Sequence, residues 1–293
     1  MKAALNSQPT VGALGRIAGA WQEKAMKPIV SASIALALAS CGQSSESAPA
    51  NEEVIAPPAS AAPPAVPVAK AFAFDEKNDL VEFHFGWSAE AAAVPQLVSR
   101  FRREMNKGKD ELAAGAKEDK AFRDKEGYDF NGYQSSTDYK TSGQSDRLLS
   151  LTSEVGSYTG GAHGNFGTGG LLWDRQAARE IKIADLFGEP ANRDRLLTQH
   201  WCDALNKQRE EKRGEPVTGN DMFDECPKLD EIAIVPADKD GNGRFERLIL
   251  TASPYVAGPY VEGSYEVDLG VTANLISALK AEYRESFEAR QPQ

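Results

Sequence analysis

The residues best placed to do chemistry sit in EIAIVPADKDGNGRFERLILTASPY, where Asp238, Asp240 and Asn242 alternate ahead of Gly243. Oxygen donors at alternate positions can converge on a hard cation, and the run matches the opening of the calcium-loop pattern D-x-[DN]-x-[DN]-G. The twelfth position, which needs a bidentate Glu, is Ile249, and the ninth is Glu246. The expectation is therefore Ca2+ held by Asp238, Asp240, Asn242 and Glu246. Asp-Gly and Asn-Gly are also hairpin-turn signals, and a bare turn explains the same residues. His84, His163 and His200 are scattered and suggest no triad by spacing, and neither GxSxG nor HExxH is present. His200 and Cys202 fall about 200° apart around a helix, which argues against a shared zinc. The reading is non-catalytic.

Two other stretches are built for shape. Gly156 to Asp174, GSYTGGAHGNFGTGGLLWD, has seven glycines in its first fifteen residues and no phosphate-cradling spacing, and reads as an irregular connection between two strands. YVAGPYVEGSYEVDLGVT places Tyr255, Tyr260 and Tyr265 at five-residue steps with Gly258 and Gly263 between them. Tyrosines on glycine-punctuated turns are core corners or a contact platform, and at least one of the three belongs to the core. The candidate ligand-binding residues are Tyr158, His163, Asn165, Tyr255, Tyr260 and Tyr265.

The elements that must position these stretches are legible in part. LVEFHFGW (Leu80 to Trp87) alternates as a half-buried strand with His84 on its solvent side. Leu97, Phe101 and Met105 give one apolar face to a helix from Val94 to about Arg123. Asn131-Gly132 turns into a strand, NGYQSSTDYKT, which pairs with Arg147 to Tyr158. Asn192 is the expected N-cap of a helix running to Arg213, with Leu196, Leu197, His200, Trp201, Ala204 and Leu205 as its stripe and Gly214 closing it. Ala273 to Phe287 reads as a final amphipathic helix. The fold class is α+β: two associated halves, 71–170 and 171–293, each of antiparallel strands packed with helices.

The 293 residues carry a net charge of -10; residues 1–40, with four bases and one acid, take +3 of that with them and leave -13. That sign argues against nucleic acid and favours a cationic partner. Lys27 precedes an apolar run, Pro28 to Ala39, too short to span a bilayer but suited to a signal peptide. Leu38-Ala39-Ser40-Cys41 resembles the lipobox of bacterial lipoproteins, which implies cleavage before Cys41 and its acylation. Residues 26–40 are then the signal, Met26 the expected start, 1–25 a misassigned start, and 41–70 a Pro/Ala-rich tether. Gly42 after the lipidated cysteine resembles outer-membrane lipoproteins, so the expected place is the periplasm. In an exported chain the remaining Cys202 and Cys226 pair most simply as a disulfide; two free thiols are the alternative.

YTGGAHGN (Tyr158 to Asn165), the LLWD and ADLF that follow, the two cysteines and PYVAGPYVEGSYEV (Pro254 to Val267) resemble the paired domains of unknown function in RsiV-type anti-sigma-factor ectodomains. They are also similar to the module preceding the catalytic domain of PdaC-type peptidoglycan deacetylases. The resemblance spans roughly Phe72 to Phe287 and implies an α+β fold of two intimately associated halves facing the cell wall. It does not extend to the sigma-binding segment, the transmembrane helix or the metal-binding catalytic domain. The functional expectation is a membrane-anchored lipoprotein recognising a protein such as lysozyme, or peptidoglycan glycan, without catalysis. The alternatives are a deacetylase-associated accessory or hydrolase-like enzyme, and a structural envelope lipoprotein.

Overall fold

A computed structural model describes residues 69–290. The expected signal peptide, Cys41 and all but the end of the tether lie outside the described residues. Among the described residues, no helix is long and apolar enough to cross a membrane.

The chain opens with two antiparallel strands, β1 (Phe72–Lys77) and β2 (Val81–Trp87). The Asn78 carboxamide oxygen closes the turn between them by accepting from the Leu80 and Val81 amides. A short helix, α1 (Ala89–Ala92), and a long one, α2 (Pro95–Glu126), then carry the chain across to β3 (Tyr133–Gln144), which lies parallel to β2. This parallel pair corrects the expectation of antiparallel strands throughout: a 32-residue helix can lead the chain back to the end where β2 began. Strands β4 (Leu148–Tyr158), β5 (Asn165–Asp174) and β6 (Arg179–Ile181) follow as an antiparallel meander, giving a six-stranded sheet in sequence order.

The glycine-rich run is therefore mostly strand. Only Thr159 to Gly164 is connection, because Asn165 to Asp174 pairs residue by residue with Leu148 to Ser157. Glycine at this density suggests irregular backbone, but a sheet accepts it where side chains would collide.

One face of the sheet buries Phe83, Phe85, Trp87, Leu149, Leu151, Leu171 and Trp173 under Leu97, Phe101 and Met105 of α2. At the β4 to β6 end, the opposite face contributes Leu148, Leu172 and Ile181 to a second core. That core is completed by α3 (Pro190–Arg213) and an antiparallel sheet of β7 (Ala233–Ala237), β8 (Arg247–Ala252) and β9 (Tyr265–Gly270). Helix α3 starts earlier than its sequence suggested: Glu189 is the N-cap, Pro190 takes the first turn, and Asn192 lies within it. The expected C-terminal helix is also broken. Thr272 caps α4 (Ala273–Ala278), and Leu279 and Lys280 then leave helical geometry before a 3-10 turn at Ala281–Ser286. Leu279, Tyr283 and Phe287 stay buried through that break, so packing, not helical period, sets the course of this segment.

Candidate functional site

Register carries five residues into one line across the sheet. Asp75 pairs with His84, His84 with Ser136, Ser136 with Gly156, and Gly156 with Phe166. A β-carbon on Gly156 would lie 2.7 Å from the Ser136 hydroxyl oxygen, so the glycine leaves a notch in the line. His84 is fixed at both ring nitrogens, Nδ1 to Asp75 at 2.7 Å and Nε2 to Asp138 at 3.1 Å. The bond to Asp75 raises the imidazole pKa above its usual value; burial opposes it, and Asp138 reinforces it. Beside His84 a groove of about 310 Å³ is lined by Glu82, Gln134, Ser136 and Tyr158 among others. Asn165 is exposed at the start of β5, opposite Ser157.

At the Phe166 end the surface turns aromatic. His163, on the β4–β5 tip, stacks on Tyr260 with centroids 3.9 Å apart and planes at 20°. Phe166 meets the same ring edge-on at 5.8 Å, and Tyr255 lies 5.7 Å from it. The Thr168 amide donates to the Ser253 hydroxyl at 3.0 Å, tying the backbone of the glycine-rich hairpin to the side chain that opens the tyrosine turn. Phe166 and Tyr255 are about half exposed, so the rings form one open shelf, and Val261, next in the chain to Tyr260, is 90% exposed.

Tyr265 is corrected from ligand contact to core. It is 1% exposed and donates its hydroxyl to Glu262 at 2.5 Å, while the Lys212 ammonium lies 3.8 Å from its ring centre. Burial, with help from Glu262, pushes its phenol up to about 12. Gly258 makes this packing feasible, since a β-carbon there would fall 2.1 Å from the Glu262 carboxylate.

Support comes from residues that sequence reasoning passed over. Arg209 is fully buried on α3 and donates to the Ala257 carbonyl from Nε at 3.0 Å and Nη2 at 2.8 Å. It also donates to the Asp224 and Glu225 carbonyls, each at 3.1 Å. Burial lowers its pKa. One guanidinium thus joins the tyrosine turn to the loop that the Cys202–Cys226 disulfide anchors on the same helix, with Cα atoms 5.6 Å apart. Arg213 bridges Asp224 and Glu262, each at 2.9 Å. A signal for Arg209 existed: Arg193, Leu197, Trp201, Leu205 and Arg209, all buried, recur every fourth residue.

The acidic turn is brought together in part. Asp238, Asp240 and Glu246 each place a carboxylate oxygen within 4.8 Å of the others. Those oxygens already have partners: Asp238 accepts from the Gly241, Asn242 and Gly243 amides and Glu246 from the Lys239 amide. Asn242 donates its side-chain amide to Asp240 and Glu288. Ile249 at the twelfth position pairs within the sheet with Val235.

Among the described residues, histidine side chains bond to carboxylates and one backbone carbonyl, and none to a hydroxyl or thiol.

Residues 75–166 match the family model described as Deacetylase PdaC. The matched segment begins and ends on the register line, at Asp75 and Phe166. Two solved structures are similar over more of the chain. A DUF3298 family protein from Pseudomonas aeruginosa PAO1 has a TM-score of 0.47 and 14% identity, covering 76% of this chain and 98% of its own. A DUF3298 family member from Bacteroides fragilis NCTC 9343 has a TM-score of 0.43 and 16% identity, covering 74% and 95%. No curated protein matches the chain.

Proposed function

We propose that this protein is a non-catalytic recognition lipoprotein of the cell envelope, anchored through acylated Cys41 in the periplasm on the outer membrane. Its aromatic shelf binds a cationic, envelope-active protein such as a lysozyme. The supporting observation is the His163–Tyr260 stack, which joins two motifs almost a hundred residues apart at an exposed surface. Rings on rigid turns give broad contact area at low entropic cost, and a chain near -13 without its first 40 residues speeds encounter with a basic protein.

Surface plasmon resonance against immobilised lysozyme tests this. His163→Ala and Tyr260→Ala should each weaken binding by about tenfold or more while leaving the Tm in place. Unmutated protein that shows no saturable response, or variants whose Tm falls together with binding, would overturn it. The groove beside His84 favours a second reading, a glycan strand hydrogen-bonded by Glu82, Gln134 and Ser136 with Tyr158 as its stacking ring. Peptidoglycan co-sedimentation lost with Gln134→Ala but kept with Tyr260→Ala would select that reading.

A further inference from the structure

Ser253-Pro254-Tyr255-Val256 is a four-residue turn closed by the Val256 amide donating to the Ser253 carbonyl at 3.1 Å. Its third residue, Tyr255, has φ of +70°. Turns with that backbone carry glycine or asparagine there, because a side chain crowds the main chain. Tyrosine strains this turn, and its ring adds little to the fold, being 54% exposed. Strain of this kind persists where the side chain serves something other than packing.

The same ring borders a groove of about 490 Å³ between the turn and the disulfide loop, with Met222, Phe223, Glu225, Lys228 and Glu231 among its other walls. Met222 is 85% exposed. Five acids lie on the stretch from Thr218 to Glu231, against Lys228 alone. Arg213 pairs with Asp224 as well as Glu262, and Arg193 with Asp230 as well as Asp194, which leaves Asp221, Glu225 and Glu231 without an ion-pair partner among the described residues. The Glu225 carbonyl is fixed by Arg209, while its carboxylate has no hydrogen-bond partner among the described residues. An apolar or anionic occupant would leave that carboxylate desolvated and unpaired. Apart from Lys228, these walls suit a long side chain with a hydrocarbon stem and a cationic head: thioether and rings along the stem, carboxylates at the head, and an aromatic face for the cation.

We infer that this groove is a subsite for a lysine or arginine side chain projected by a partner protein, with its stem between Met222 and Tyr255 and its head at Glu225 and Glu231. The inference rests on the recognition reading and assigns the partner's contacting chemistry.

The test is fluorescence anisotropy on the full chain with a labelled hexapeptide carrying two arginines, and with the same peptide carrying neutral, isosteric citrulline. Saturable binding is expected for the arginine peptide and not for the citrulline one. Tyr255→Gly should weaken it by about tenfold while the Tm holds or rises, since the strain is relieved; Tyr255→Asn should behave alike. Glu225→Gln with Glu231→Gln should abolish binding, and Glu111→Gln with Glu118→Gln, the same charge change on α2, should leave it. His163→Ala should spare the peptide, so a failed shelf and a failed groove give different results. No saturable binding, equal binding of citrulline, equal loss in the α2 control, or a lower Tm for Tyr255→Gly would each overturn the inference.

Discussion

Replacing Arg209 with alanine should loosen the tyrosine turn and the disulfide loop together. The guanidinium holds three backbone carbonyls, of which Ala257 is in a fully buried position and Asp224 and Glu225 are nearer the surface. Stranding the Ala257 carbonyl costs about 1–3 kcal/mol, and the other two cost less because water can reach them. The lost stem adds about 0.8 kcal/mol per buried methylene. Relief of the buried charge gives some of this back, so a net loss of about 3–5 kcal/mol is expected. In urea that corresponds to a midpoint lower by roughly 1–2.5 M at an m-value of about 2–3 kcal/mol/M. Arg209→Met keeps most of the stem and should lose less, and the difference isolates the hydrogen-bonded part. A midpoint for Arg209→Ala within about 0.3 M of the unmutated protein would refute the anchoring role, whatever it did to binding.

The Cys202–Cys226 bridge should contribute about 3 kcal/mol, since it closes a loop of two dozen residues; thiol labelling of unfolded, unreduced protein should find neither cysteine free. Asp174 is buried and accepts from Arg147, Tyr283 and the Gln176 and Ala177 amides. Burial alone would raise its pKa, but the Ala177 amide and Arg147 outweigh it and hold the pKa below the ordinary value. The stability it contributes is therefore full above the unfolded value of about 4 and disappears as pH falls through the lower folded one. Asp174→Asn should flatten that acid limb in pH-dependent urea melts, and an unchanged slope would remove Asp174 from the account. Asp238→Ala removes the acceptor of the Gly241 and Gly243 amides and one of the two acceptors of the Asn242 amide, and should cost about 1–2 kcal/mol by thermal melt. A Tm that rises with Ca2+ and falls with chelator, with the response lost in Asp240→Asn, is the outcome the calcium expectation requires.

What the sequence made readable was what repeats. Val81, Phe83 and Phe85 alternate, Leu97, Phe101 and Met105 recur every four, and both elements formed where that period placed them. Gly156 to Asp174 misled because glycine density reports where side chains are excluded, not how the backbone runs. The β4–β5 ladder is satisfied by a neighbour that local composition does not name. The same limit explains the C-terminal segment, where Leu279, Tyr283 and Phe287 keep a helical spacing but are drawn into contact by the rest of the core. Of the candidate site, the residue types were visible in YTGGAHGN and GPYVEGSY, yet their meeting through His163 and Tyr260 depends on two cores packed on one sheet. Tyr255 stood out only as an aromatic until its backbone angle showed that a smaller residue would sit there more easily.

The parallel pairing of β2 with β3 has a consequence for how the chain must assemble. The β1–β2 hairpin is complete by Trp87, but its partner begins at Tyr133, after the whole of α2. Until that stretch closes, β2 is an unpaired edge presenting Phe83, Phe85 and Trp87 without their helical cover. Closing a connection of that length precedes the contacts that stabilise it, whereas the β3–β4 and β4–β5 hairpins can form locally. Shortened chains that end within α2 should therefore self-associate through this edge.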